Sequence, residues 1–396
     1  MCLRTLIRTG FTLLAVASIT CAVSVVEHDL DTSEAGHIEI KSEVHNATGI
    51  RYVKNSGICE TTPHVTQISG YIDVGTNMSM WFWFFESRNS PEKAPFTLWL
   101  NGGPGCSSMI GLFRENGPCS VNADRNSITL NPYRYPIGAG FSYGTGLVNS
   151  TEEAAPFVWT AFQVLFESQL FSKYASREFI FTTESYGGHY APSFVAYFQE
   201  KNVLIASGAI HAVPIAVGAL MINNGWIDPL IQNIAYLTFT TYAPGYGKLQ
   251  PDGVLKNISD ALYGHDGCIA QEKACYAAGN STSSNAICEN ADRYCIDHIY
   301  APAMVNYDSY DLRQNTSALF PPSYYVDYLH KKDVMKKIGA YSEYEECSDP
   351  PYYRFASTGD DARTWLPQLS TLANSGMKIL IWVRASTSTS LTGWRC

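Results

Sequence analysis

The chain has 396 residues, of which 46% are hydrophobic, 13% aromatic and only 16% charged. A disordered chain would have fewer apolar and more charged residues, so this composition indicates a folded protein with a sizeable core. The formal net charge of −9 argues against nucleic acid as a partner, because neutralising phosphates requires clustered basic side chains.

The first 23 residues have the pattern of a secretory signal peptide. Arg4 and Arg8 precede an apolar run, and the small residues Ala22 and Ser24 suit a signal peptidase. A membrane anchor is the alternative, but the run is shorter than the roughly 20 apolar residues that a span needs. We therefore expect residues 1–23 to be removed, and the protein to be secreted or vacuolar with no membrane span.

A second apolar stretch, residues 203–222, is long enough to be considered as a span. It is interrupted by Ser207, Gly208, His211, Pro214 and Gly218. These residues fit a strand and a turn inside a soluble core better than a membrane helix.

Export predicts that most cysteines pair, because disulfides persist in oxidising compartments. Cys268, Cys275, Cys288 and Cys295 are spaced by 7, 13 and 7 residues, which suggests two nested bridges, 268–295 around 275–288. A zinc cluster is the rival interpretation, although there is no CxxC and no closely spaced Cys/His pair.

Six glycosylation sequons agree with export and predict a glycoprotein. They begin at Asn46, Asn77, Asn149, Asn257, Asn280 and Asn315.

In chain order, the segments 80–85 and 96–100 are predicted as buried strands, and the second leads into the turn Asn101-Gly-Gly-Pro-Gly-Cys106. Apolar residues at helical spacing predict a helix within 154–174. A short strand over 178–182 is followed at once by Thr183-Glu-Ser-Tyr-Gly-Gly-His-Tyr190. The order is strand, sharp turn, helix.

Ser185 in this turn is a candidate nucleophile. A serine between a strand and a helix is exposed above the end of the sheet, and small neighbours allow the chain to bend; the general pattern is G-x-S-x-G. Thr183 replaces the first glycine, so only the second half of the pattern matches. The Gly102-Gly103 turn can direct backbone N–H groups toward the serine, as an oxyanion requires. An ordinary tight turn is the alternative interpretation of the two glycines.

Several segments together resemble the successive motifs of the serine carboxypeptidases. They are Trp99-Leu-Asn-Gly-Gly-Pro-Gly-Cys-Ser-Ser108, Glu115-Asn-Gly-Pro118, Asn131-Pro-Tyr133, Pro136-Ile-Gly-Ala-Gly-Phe-Ser-Tyr143, Glu184-Ser-Tyr-Gly-Gly-His-Tyr190 and Asn224-Gly-Trp-Ile-Asp-Pro229. The resemblance covers about residues 50–383, in the order that the family has.

The resemblance implies an α/β-hydrolase fold with a central, mostly parallel sheet and a helical, disulfide-rich cap insertion. It places the hydrolase core at 50–228, the insertion at 229–347 and an incomplete return to the core at 348–396. It also implies a bridge between Cys106 and Cys347. Cys59 and Cys119 are then left to pair with each other, and Cys396 is the odd thiol.

The resemblance also implies roles for individual residues. Ser185 is the nucleophile, and the N–H groups of Gly103 and Tyr186 form the oxyanion hole. The substrate's terminal carboxylate is bound by Trp99, Asn101, Glu115 and Glu184. The implied substrates are the C-termini of peptides or proteins, and no metal or organic cofactor is implied.

The carboxylate site has a chemistry that can be argued independently. Two carboxyl groups forced close together cannot both ionise cheaply, so one keeps its proton and can donate a hydrogen bond to the substrate's carboxylate. Loss of that proton would repel the anionic peptide end. We therefore expect peptidase activity to fall toward neutral pH.

Two departures from the family pattern stand out. The family has about a dozen residues, including a core strand, between Asn-Pro-Tyr and Pro-Ile-Gly-Ala-Gly, where this chain has only Arg134 and Tyr135. The strand over 378–383 should lead into the catalytic aspartate and later histidine, but it continues into a Ser/Thr-rich segment, 384–390. Both triad partners are missing from their expected places.

No other histidine is an obvious replacement. His189 lies in the helix after Ser185 and is expected to pack in the fold, and none of His211, His265, His298 or His330 follows a late strand. A serine without a base is a poor nucleophile.

Two explanations compete. The recorded chain is an incomplete translation of an ordinary carboxypeptidase gene, or it is an inactive descendant that binds peptide C-termini. An acyltransferase or esterase on the same scaffold is a further alternative.

Overall fold

The computed structural model describes residues 37–42, 48–131, 141–144, 147–314 and 322–383. Several sequence predictions lie outside these ranges: the leader 1–23, the sequons at Asn46 and Asn315, the shortened segment around Arg134, and the Ser/Thr-rich tail with Cys396.

Strands form from the apolar and β-branched runs of the chain. Their bounds are β1 (Ile38–Lys41), β2 (Gly49–Lys54), β3 (Gln67–Gly75), β4 (Met78–Phe85), β5 (Phe96–Leu100), β6 (Cys119–Val121), β7 (Ile128–Leu130), β8 (Tyr143–Gly144), β9 (Phe179–Glu184), β10 (Val217–Asn223) and β11 (Lys378–Trp382).

A parallel sheet of order β11-β10-β9-β5 forms the centre of the fold. Leu100 pairs with Thr183 and Asn223 pairs with Glu184, so three strands end at the same edge. Ligands of open α/β sheets bind beyond the carboxyl ends of the strands. This edge is therefore where a site is expected.

A separate antiparallel sheet has the order β1-β2-β3-β4-β8. Strand β4 alternates, with Trp81, Trp83 and Phe85 buried and the residues between them partly exposed. The sequence predicted a fully buried strand here, but the strand is half-buried. Successive side chains of a strand point to opposite faces, and only one of the two aromatic faces of β4 is buried.

Strands β4 and β5 are not paired with each other. Among the described residues, β5 is the edge of the parallel sheet, and β4 beyond Ser79 has β3 as its one strand partner. The strand that the sequence lacks near Arg134 would be expected between such edges.

Helices cover the parallel sheet and continue into the insertion. Their bounds are α1 (Met109–Arg114), α2 (Thr151–Glu167), α3 (Gly187–Ala206), α4 (Pro229–Thr241), α5 (Asp252–Tyr263), α6 (Cys268–Ala278), α7 (Asn285–Cys295), α8 (Ala301–Met304), α9 (Tyr324–Leu329), α10 (Lys332–Ile338), α11 (Asp349–Ser357) and α12 (Leu366–Asn374).

The apolar stretch 203–222 is divided between elements. Its start belongs to the end of α3, its end to β10, and His211 lies exposed in the connection rather than in a strand. In the part of the chain that is described, no helix has both the length and the apolar character for crossing a bilayer.

Four disulfides connect the described cysteines. Cys268–Cys295 encloses Cys275–Cys288, as the spacing suggested, and both bridges join α6 to α7. Cys106–Cys347 and Cys59–Cys119 are also formed. A zinc site would need the thiolates that these bridges use.

Three carboxyl groups, two of them buried and one partly exposed, lie where the insertion meets the 3₁₀ turn Asp360–Ala362. They are Glu272 on α6, Asp292 on α7 and Asp361 in the turn. Burial, followed by the charge of Asp292, raises the pKa of Asp361 and of Glu272 well above the usual value. Burial also raises the pKa of Asp292 to about 6. Protonated Asp361 donates a hydrogen bond to Asp292.

These shifts predict a protein that is more stable in acid. The folded state keeps protons that the unfolded chain releases near pH 4, so the free energy of unfolding should fall as pH rises from about 4 through 6 and above. Asp292→Asn should remove part of this slope and be more stable than the parent at pH 7.5 by roughly 2 kcal/mol. Urea unfolding of both proteins at pH 4.5, 6 and 7.5 measures the free energy of unfolding and its slope with pH.

Asp252→Asn is the control, because Asp252 is a solvent-exposed carboxylate in an i,i+4 ion pair with Lys248. It should leave the slope unchanged. A parent protein whose urea midpoint is as high at pH 7.5 as at pH 4.5 would contradict the assignment of the buried acids.

Candidate active site

Ser185 forms a strained turn between β9 and α3. Its φ is 58°, a left-handed conformation that non-glycine residues rarely adopt. The turn is fixed by main-chain bonds: the Ser185 N–H donates to Asn223 O (3.0 Å), and the Ser185 carbonyl accepts from Gly188 N (2.9 Å) and Trp226 N (2.8 Å). The side chain is only partly buried. This geometry is that of a nucleophile elbow.

Close packing explains the glycines after the serine. A Cβ on Gly187 would lie 2.3 Å from Thr183 Cβ, and one on Gly188 would lie 2.4 Å from Trp226 O. Thr183, which replaces the first glycine of the general pattern, is fully buried and donates its hydroxyl proton to Gly187 O at 2.9 Å. The departure from G-x-S-x-G therefore adds a bond within the turn.

The loop after β5 lies directly against this turn. A Cβ on Gly102 would be 2.3 Å from Tyr186 N and 2.9 Å from Ser185 Cβ. The next residue, Gly103, has φ 119°, which only glycine adopts readily. The structure thus brings Gly103 and Tyr186, the two predicted oxyanion donors, to adjacent segments beside Ser185.

Main-chain bonds and a disulfide fix the loop from the other side. The Ser107 N–H donates to Glu346 O (2.7 Å), and the Ser348 N–H donates to Gly105 O (3.0 Å). The Cys106–Cys347 bridge joins the same two segments. A loop that must present N–H groups at fixed positions benefits from this rigidity.

The predicted carboxylate-binding residues form one hydrogen-bonded cluster around Asn101. Its Nδ2 donates to Glu184 Oε2 at 2.7 Å and to Glu115 Oε1 at 3.4 Å. Its Oδ1 accepts from Trp99 Nε1 (2.9 Å) and from Gly111 N (3.0 Å). Glu184 directly precedes Ser185, so the cluster adjoins the nucleophile. All four residues that the sequence singled out for this role are brought together.

Two contributors to this cluster were missed from the sequence. The Asn101 N–H donates to Ser108 Oγ at 3.1 Å, and the Gly111 N–H at the start of α1 fixes the Asn101 amide orientation. A Cβ on Gly111 would lie 2.3 Å from Trp99 Nε1. Neither role has a local sequence signal, because both depend on how α1 docks against β5.

His189 packs beneath the elbow. It is fully buried, its ring stacks on Tyr186 with 4.7 Å between centroids, and its Nδ1 bonds Trp226 O at 2.6 Å. Burial lowers the pKa of its imidazole. Within the described ranges, no histidine forms a hydrogen bond with Ser185 Oγ. The expected packing role of His189 agrees with this geometry.

The sequence model of the serine carboxypeptidase family matches residues 57–384. The chain belongs to this family. It is 44% identical to Carboxypeptidase S1 of Penicillium janthinellum over 344 residues, which covers 84% of this chain and 79% of that protein. It is 30% identical to Carboxypeptidase S1 homolog A of Arthroderma otae over 425 residues, 86% of this chain and 65% of that protein.

A solved structure shows the same fold. Kex1(delta)p, a prohormone-processing carboxypeptidase from Saccharomyces cerevisiae, superposes with a TM-score of 0.62 at 20% identity, covering 82% of this chain and 74% of that one. The predicted α/β-hydrolase fold and membership of a hydrolase family are confirmed.

The contact between Gly102 and the elbow can be tested by adding one methyl group. Gly102→Ala should displace the Tyr186 amide or the loop, lowering the thermal midpoint by roughly 3 °C or more for each ~1 kcal/mol of strain. Gly253→Ala is the control, because a Cβ at this helical glycine meets nothing within 4 Å. Differential scanning calorimetry measures both, and equal midpoints in the two variants would refute the close approach.

Proposed function

We propose that this protein is a serine-type carboxypeptidase that acts through Ser185. The hydroxyl oxygen attacks the carbonyl carbon of the last peptide bond, and the oxyanion is bound by the N–H groups of Gly103 and Tyr186. The C–N bond then breaks and the terminal amino acid leaves with the proton lost by Ser185. Water hydrolyses the acyl-enzyme and restores the serine.

The observation that carries the proposal is the bond between Asn101 and Glu184. Glu184 is covalently next to Ser185, and Asn101 is two residues from Gly103, so one short hydrogen bond joins the carboxylate cluster to both parts of the reaction centre. A substrate whose terminal carboxylate contacts this cluster has its last peptide bond beside the nucleophile. The arrangement favours release of a single C-terminal residue.

The proposed reaction needs a proton acceptor for Ser185. No described residue supplies an imidazole there. Binding and cleavage of a peptide therefore have different requirements. Peptide binding needs no base, whereas turnover does.

The carboxylate cluster also supports the expected acid optimum. Glu115 and Glu184 share the amide of Asn101. Two carboxyl groups on one donor repel each other when both are ionised, so the pair retains a proton in acid and offers it to the substrate's carboxylate. Affinity for a free C-terminus should decline as this proton is lost.

We further propose that the protein enters the secretory pathway, in agreement with its disulfides and with the export signals in the sequence. Three of the described sequon asparagines, Asn77, Asn257 and Asn280, are exposed, and Asn149 is half-buried. The accessible three are the expected sites of glycosylation.

The first experiment compares an N-blocked dipeptide with its C-terminal amide at pH 5. The free acid should bind and release its last amino acid, and the amide should bind at least tenfold more weakly. Ser185→Ala should bind the free acid with unchanged affinity and release nothing. Calorimetry measures binding and amino-acid analysis measures release.

Binding of the free acid without release would favour the peptide-binding alternative over the peptidase. Equal cleavage of a simple ester and of the free acid, with no dependence on the terminal carboxylate, would favour an esterase.

A second experiment isolates the carboxyl pair. Glu184→Gln keeps a hydrogen-bond donor at every pH, so its affinity for the free acid should change by less than threefold between pH 5 and 7.5. The parent should lose at least tenfold over this range. Glu178→Gln is the control, because Glu178 precedes the same strand but pairs with Lys378 at the surface. A parent affinity that does not fall toward neutral pH would refute the shared proton.

A further inference from the structure

The side chain of Tyr186 is bonded to an acid far away in the chain. Its hydroxyl donates to Asp360 Oδ2 at 2.6 Å across a sequence separation of 174 residues. Both residues are almost completely buried, with 3% and 1% of their surface exposed. Burial, followed by the charge of Asp360, raises the pKa of the Tyr186 phenol well above its ordinary value, so the phenol remains a donor.

Asp360 is itself fixed by the first residue of α2. Its Oδ1 accepts from Thr151 N at 3.0 Å, and its Oδ2 accepts from Thr151 Oγ1 at 2.6 Å. Among the described residues, no lysine or arginine forms a salt bridge with this carboxyl group. The carboxyl group accepts three hydrogen bonds, one of them from the phenol of Tyr186, and Arg363 interacts with it through its charge.

The main chain and the side chain of Tyr186 have different roles, and the hydrogen bond to Asp360 acts on the side chain. The main-chain end of Tyr186 supplies the proposed oxyanion donor, and it lies against Gly102. The aromatic ring stacks on His189 and makes edge contacts with Tyr190 (5.3 Å) and Phe355 (6.2 Å). Aromatic contacts of this kind still allow the Tyr186 ring to slide, whereas a short hydrogen bond to a fixed carboxylate prevents that movement.

We propose that Asp360 is a positioning residue, which fixes the direction of the Tyr186 N–H by binding the far end of the same side chain. This inference rests on the proposed function, because it assigns that N–H to the oxyanion. It concerns the transition state rather than substrate binding, since the described hydrogen bonds of the Asp360 side chain go to Tyr186 and Thr151 and not to the Asn101 cluster. The sequence offers no pattern for it, and the pair Asp360-Asp361 does not resemble a catalytic turn.

The test uses two variants that break the same bond. Tyr186→Phe removes one oxygen and leaves the main chain, and Asp360→Asn replaces one acceptor oxygen. Removing an oxyanion donor outright costs about 10²–10³ in kcat, so a misdirected donor should cost roughly tenfold to a hundredfold. We expect that loss in kcat with KM within twofold of the parent. The double variant should be no slower than the slower single variant.

Tyr174→Phe is the matched control. Tyr174 is also buried and its hydroxyl also donates to a carboxylate, Glu86 Oε1 at 3.0 Å, but it lies near the other end of β9 from Ser185. It should keep kcat within twofold of the parent even if its thermal midpoint falls. Single variants with unchanged kcat, or losses that multiply in the double variant, would overturn the proposal.

A second readout does not need turnover. Amide hydrogen exchange of the segment 183–190 should be at least fivefold faster in Tyr186→Phe and Asp360→Asn, and unchanged in Tyr174→Phe. If the parent protein cuts no peptide, the proposed function fails, and the exchange result still decides whether Asp360 fixes the elbow. Exchange as slow as in the parent in both variants would show that it does not.

Discussion

The left-handed conformation of Ser185 is the constraint on which the rest of the site depends. A serine at φ 58° is unfavourable in isolation and persists only where the surroundings over-determine it. Here Gly102 approaches from one side, and Gly187 and Gly188 fit against Thr183 and Trp226 from the other. Each contact leaves no room for a Cβ. The glycines are therefore required by backbone packing around Ser185.

The Asn101 amide extends this constraint to the residues that we propose bind the substrate. Its four hydrogen bonds join the end of β5, the start of α1, Glu115 and the end of β9. Because the same loop carries Gly102 and Gly103, the distance between the Asn101 cluster and the two proposed oxyanion donors is fixed by a few residues held by hydrogen bonds. An exopeptidase needs that fixed distance, since it measures one residue from the chain end.

The turn Asp360–Ala362 connects the reaction centre with the insertion. Asp360 bonds Tyr186 and the start of α2, whereas its neighbour Asp361 bonds Asp292 on α7. The Ala362 carbonyl lies 3.5 Å from the sulfur of Cys275, within the nested disulfides. One short turn thus contacts the elbow on one side and the buried acids on the other.

The sequence by itself determined the order of the motifs, the strand-turn-helix around Ser185, the nested cysteine pairs and the members of the Asn101 cluster. These features are carried by residues close together in the chain or by a resemblance to a family, so a linear pattern records them. Only the tertiary structure decided that Thr183 closes the turn with its own bond, that β4 and β5 lie in different sheets, and that Asp360 binds Tyr186. The bond between Asp360 and Tyr186 joins segments 174 residues apart, and the placing of β4 and β5 also depends on distant segments, so neither leaves a spacing or periodicity in the sequence. The Thr183 bond is local, but it needs the turn that the packing around Ser185 imposes.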